Sequence, residues 1–146
     1  MVISPTGVTI QIAAKAAANL PQSTQSALFT VSGGRVAVKL YGEVTTVIQA
    51  GVNNTKLVSN PTVGADVDLC ATLDIDADVV GTMYSLNVAG NFSSAMVATT
   101  SGALVEQAAW AIVAAGTIDL SCSASKTGQT KWSCSWFPID VGATLA

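Results

Sequence analysis

Residues 117–138 read TIDLSCSASKTGQTKWSCSWFP. Two alternating runs stand on either side of a polar, glycine-containing break. In an extended chain successive side chains point to opposite faces, so Ile118, Leu120 and Cys122 share one face of the first run. Trp132, Cys134 and Trp136 share one face of the second. A turn centred on Gly128 would make the pair a hairpin, with Cys122 opposite Cys134 and Leu120 opposite Trp136. The expected result is a core cluster of Trp132, Trp136, Cys122 and Cys134. A Trp-Cys-Trp row is read as core in preference to a sugar-stacking platform, because aromatic side chains dominate buried area. The cysteines are expected to remain thiols; a cross-strand disulfide would require an oxidising compartment and suitable geometry. Cys70 makes the count odd, and no C-x-x-C pair suggests zinc or redox chemistry.

The same period-two pattern extends over most of the chain, carried by abundant Val and Thr. Strands are expected at 8–12, 27–31, 35–42, 44–50, 55–59, 66–73, 80–88, 95–100, 109–114, 117–123 and 130–137. Gly33-Gly34, Val52-Asn53-Asn54, residues 60–64, Gly90-Asn91 and Lys126-Thr127-Gly128 punctuate them. The fold class is all-β, mainly antiparallel: one domain over 1–146, as a β-sandwich or β-barrel. One Ala-rich segment, IAAKAAANL, is expected to form a short helix near residues 12–20, ending before Pro21. Residues 103–115 match both helical and strand spacing, and the second half is read as strand. Residues 1–7 and 141–146 are expected to be loose or partner-bound termini.

Composition narrows the function classes. The chain has 146 residues, enough to bury roughly 70% of the surface it would expose unfolded. Half of it is apolar, only 10% is charged, and the net charge is −3. Few charges imply large uncharged surfaces, which usually mark contact with other subunits. The six cations are scattered, so there is no basic stripe for nucleic acid. No stretch reads as a membrane span, since the longest apolar run contains Glu106 and Gln107, and MVISPTGVTI lacks the order of a signal peptide. Histidine is absent, which removes imidazole bases, His-based triads and His metal ligands. No enzyme activity and no cofactor are expected.

Asp66, Asp68, Asp74, Asp76 and Asp78 alternate with apolar residues. In an extended strand they would form an acidic column at roughly 6.6–7 Å intervals, with a break near Asp74 because a strand of that length is unusual. Asp74, Asp76 and Asp78 match the first ligand positions of a calcium loop. Val79 then stands where the loop needs Gly, and Ser85 where it needs Glu, so an EF-hand is excluded. These three aspartates stay as candidates for a different calcium site. The other readings are a solvated face, or an interface in which Asp66 and Asp68 meet Arg35 and Lys39 of another subunit. Glycosidase chemistry needs two acids across a cleft, which one row of acids does not supply.

Residues 28–75, LFTVSGGRVAVKLYGEVTTVIQAGVNNTKLVSNPTVGADVDLCATLDI, carry the order S-G-G-R-V, G-E-V-T-T, N-N-T-K-L, N-P-T-x-G and D-x-D-L-C-A. This run resembles small virion structural proteins of tailed bacteriophages, in particular capsid decoration (cement) proteins. The resemblance implies a β-rich, non-enzymatic homo-oligomer, expected as a trimer. It would bind the major capsid protein on the outer capsid surface of the virion, after assembly in the host cytoplasm. A tail, fibre or baseplate component is the alternative, and a carbohydrate-binding module displayed on the particle is an alternative of another class.

Overall fold

The computed structural model describes residues 2–3, 9–86 and 92–146. Among the described residues there is no helix. The strands are β1 (Val2–Ile3), β2 (Thr9–Ala14), β3 (Ala18–Asn19), β4 (Gln25–Ser32), β5 (Val36–Thr46), β6 (Asn54–Pro61) and β7 (Val67–Asp68). They continue with β8 (Leu73–Asp74), β9 (Met83–Ser85), β10 (Val97–Thr99), β11 (Ala111–Val113), β12 (Gly116–Cys122), β13 (Gln129–Pro138) and β14 (Thr144–Leu145). They form two antiparallel sheets. The first has the order β1-β2-β13-β5-β9-β10, with β11 also beside β5 and β3 beside β13; the second has the order β14-β4-β12-β6-β7, with β8 beside β6. The chain is an all-β sandwich.

Alternation builds the core from both sheets. Val36, Val38, Leu40 and Val44 of β5 and Trp132, Cys134 and Trp136 of β13 point inward from the first sheet. Phe29 and Val31 of β4, Leu57 of β6 and Ile118, Leu120 and Cys122 of β12 meet them from the second. Each large aliphatic or aromatic side chain buried this way contributes about 1.5–3 kcal/mol.

The strands at 117–123 and 130–137 exist, but they are not a hairpin. β12 pairs with β4 and β6, whereas β13 pairs with β5, β2 and β3. Cys122 and Cys134 therefore enter one core from opposite sheets, and all three cysteines are free and buried. The connection at 123–128 is an arch between sheets, fixed to neighbouring turns. Lys126 Nζ donates to the Ala50 carbonyl, the Gln49 N–H to the Thr127 carbonyl, and the Ala124 N–H to Asn53 Oδ1. Both strands need two lateral partners and a fully buried inner face, which a side-by-side hairpin at a sheet edge would not provide.

The helix expected near 12–20 is also overturned. Gln11 to Ala14 pair with Trp136 to Ser133, and Ala18 and Asn19 pair with Thr130 and Gln129. Alanine propensity is a weak preference; the bare edge of β13 offers backbone hydrogen bonds that override it. At the other end, 141–146 is not a loose segment. Leu145 is buried, β14 pairs with Ser32 and Val31, and Ala146 exchanges backbone hydrogen bonds with Thr30. Of the first seven residues, 1 and 4–7 lie outside the described residues. So do positions 8, 87 and 88 of the expected strands, and the Gly90-Asn91 break.

The two segments expected at 35–42 and 44–50 are joined through Gly42 into one strand that ends at Thr46, and 47–50 belongs to the turn that follows. Trp132 and Tyr84 flank Gly42 in the adjoining strands, and their rings stack over it at 6.2 Å and 15°. On the far edge of β5 a gap separates β11 from β9, and a side chain fills it. Gln107 accepts from the Leu40 N–H at 3.2 Å and donates to the Val38 carbonyl at 3.2 Å, so its amide stands in for a strand residue. At Gly116, where β12 begins, φ is +145° and a Cβ would lie 2.2 Å from the Asn60 carbonyl oxygen. Only glycine fits that approach.

Candidate functional site

The aspartates do not form one column. β7 and β8 are two residues each, and between them both Leu69 and Cys70 turn inward, which breaks the alternation. Asp68 binds Lys56 at 2.7 Å, and Asp66 accepts from Gln25 Nε2 at 3.0 Å. Asp74 Oδ1 accepts the Asn53 N–H at 2.8 Å and the Asp76 N–H at 3.2 Å; Asp76 Oδ1 accepts the Gly51 N–H at 2.6 Å. Asp78 accepts from the Tyr84 hydroxyl, and burial followed by this carboxylate pushes the Tyr84 pKa well up. Of the calcium candidates, Asp74 and Asp76 thus act as acceptors that tie their segment to the 47–53 turn, and Asp78 anchors it to Tyr84 of β9. Among the described residues no three Asp, Glu or Cys side chains converge on one point.

The cations Arg35 and Lys39, expected to meet acids of another subunit, have partners within the chain. Arg35 grips Asp140 with two side-chain hydrogen bonds, at 2.9 and 2.8 Å, and its backbone N–H adds a third at 2.8 Å. Those bonds hold the Asp140 carboxyl well below the usual carboxylate range. Lys39 pairs with Glu106 and lies 4.8 Å from the centre of the Trp110 ring, which in turn meets Phe137 edge to face. Lys131 binds Glu43 at 3.0 Å.

What the fold brings together instead is apolar surface at its two ends. β4, β6 and β13 finish where β5 and β12 start, so the turns at 33–35, 62–64, 114–115 and 139–143 share one end. Val63 and Val141 there are 88% and 104% exposed, and Ile139 and Ile112 are also exposed. The only charged side chains in those turns are Arg35 and Asp140, which neutralise each other. The opposite end carries the turns at 47–53, 75–82 and 123–128, joined by Ile48 N–H to Asp78 O and Gln49 N–H to Thr127 O. Val47, Val52, Val79 and Val80 are exposed there. Its charged side chains, Asp76, Asp78 and Lys126, are all bonded to backbone groups or to Tyr84. Sequence reading missed both ends, since single valines in turns carry no periodic signal.

No family model, curated protein or solved structure matches the chain. The functional argument therefore rests on the chain's own sequence and geometry. A groove of about 540 Å³ on the outer face of the first sheet is lined by Lys15, Tyr41, Glu43, Met83, Leu104 and Lys131. Its charged lining includes the Lys131–Glu43 pair. Trp132 and Trp136 are buried with Cys122 and Cys134, so neither indole offers an open stacking surface. Burial pushes all three thiols up, Cys134 to about 12, which leaves them protonated and unreactive at neutral pH.

Proposed function

We propose that the protein is a non-enzymatic virion structural component that binds the outer surface of a phage capsid and reinforces contacts between major capsid subunits. The observation that carries this reading is the pair of apolar ends on a sandwich whose ionic groups there are already satisfied within the chain. An element that touches one neighbour at each end resists their separation, and uncharged ends gain free energy by losing contact with water. The charge-poor composition and the resemblance of residues 28–75 to phage virion proteins support the same reading. The buried position of Trp132 and Trp136 speaks against the carbohydrate-binding alternative.

The test is to mix purified protein with capsids lacking it, image the particles, and compare their survival of heat and osmotic shock. Ordered density on the shell with improved survival is the expected result. Bare shells, with the protein found on tails instead, would replace this reading with the tail or fibre one.

A further inference from the structure

Asp119, in the middle of β12, is on the outward face of the second sheet and yet only 3% exposed. The β4–β12 register shifts between Ile118 and Asp119, so Phe29 and Ala27 are the paired residues and Leu28 is left over. That bulge puts a small side chain beside Asp119. Its Oδ2 accepts from Gln25 Nε2 at 2.8 Å and from Asn60 Nδ2 at 3.2 Å. The same Gln25 nitrogen donates to Asp66 Oδ2 at 3.0 Å, which brings two carboxylates to one amide. The other Asp119 oxygen, Oδ1, is buried and has no hydrogen-bond partner. Among the described residues no cation contacts Asp119; Lys56, on the same face of β6, is held by Asp68. A buried carboxylate is normally paired with a cation or bound to a metal, because desolvating its charge is costly.

We propose that Asp119, Asp66, Gln25 and Asn60 form a binding site for a divalent cation of the calcium class. All four side chains offer hard oxygen donors, the set that suits calcium over zinc or copper. Rotating the Gln25 and Asn60 amides about their terminal torsions replaces each N–H₂ by its carbonyl oxygen at the same point. Two carboxylate and two amide oxygens then surround the ion, with water completing its shell. The ion joins β4, β12, β6 and the segment leading into β7, so it stiffens the second sheet and compensates the buried charge. This site is separate from the aspartates of 74–78, which are occupied with turns.

Thermal melts and titration calorimetry on the whole protein, first treated with a chelator, test the proposal with calcium chloride alone as the probe. Calcium at about 10 mM is expected to raise Tm by several degrees, as binding to the folded state alone requires. Asp119→Asn is expected to lose that response. Asp66→Asn, at an exposed position, leaves the fold intact and is expected to weaken calcium binding at least about tenfold, one ligand charge being removed. A wild-type Tm unmoved by calcium, with no heat of binding, would overturn the site. So would an unchanged response in Asp66→Asn, even if Asp119→Asn fails to fold.

Discussion

A Cβ at Gly42 would lie 2.7–2.8 Å from three ring atoms of Trp132, in a core that has no slack to receive it. Gly42→Ala is therefore expected to cost about 1–3 kcal/mol in urea unfolding and to shift tryptophan emission, because the Trp132–Tyr84 stack has to move. The ionisable groups of the interior set a second expectation. Cys70, Cys122, Cys134 and Tyr84 all have folded-state pKa values raised, chiefly by burial. The unfolded chain thus releases protons first as pH rises. Stability is full below the ordinary thiol value of about 8.5 and falls from there toward the folded Cys134 value of about 12. Melting temperatures that stay level between about pH 8.5 and 11 would contradict this. Asp140 acts in the opposite direction, its lowered pKa adding stability above the ordinary value of about 3.9 that is lost as pH falls. That contribution is small and salt-sensitive, since both partners reach solvent.

Among the elements, the Gln107 amide bridging the gap between β11 and β9 makes the sharpest prediction. Gln107→Ala strands the Leu40 N–H and the Val38 carbonyl, at about 1–3 kcal/mol for each group left without a partner. Gln107→Glu keeps the acceptor for Leu40 but loses the donor for Val38 and Ala109, and places a charge at a buried position; it is expected to destabilise at least as much. Urea midpoints for the two variants check both statements. Period-two alternation made most strands legible, because it reports which face is buried. It does not report which strand lies alongside. Ile118–Leu120–Cys122 and Trp132–Cys134–Trp136 were readable as inward rows, but side-by-side and face-to-face arrangements bury the same residues. Long-range pairing decided between them. The same limit applies to 12–20, where alanines favour a helix locally and the edge of β13 favours a strand. Asp119 gave no signal at all: one carboxylate between Ile118 and Leu120 looks like any outward residue until the bulge at Leu28 and the Gln25 side chain cover it.

For the whole molecule, the clamp reading requires both ends. Val63→Asp with Val141→Asp at one end, or Val52→Asp with Val80→Asp at the other, changes exposed side chains and is expected to leave stability within about 1 kcal/mol of the parent. Each pair is expected to reduce binding to capsids, measured by co-sedimentation. If only one pair weakens binding, the protein is a one-sided stud and does not bridge neighbours. The topology has a further consequence, for biogenesis. β13 lies between β2 and β5, so the two earlier strands have no common neighbour until residue 138 has left the ribosome. The nascent chain must carry β5 with one flank bare until β13 emerges, a state prone to pairing with other unfinished copies on the same message. Closure of the first sheet waits for β13, and the yield of native protein depends on how well the cell keeps those flanks apart until that strand emerges.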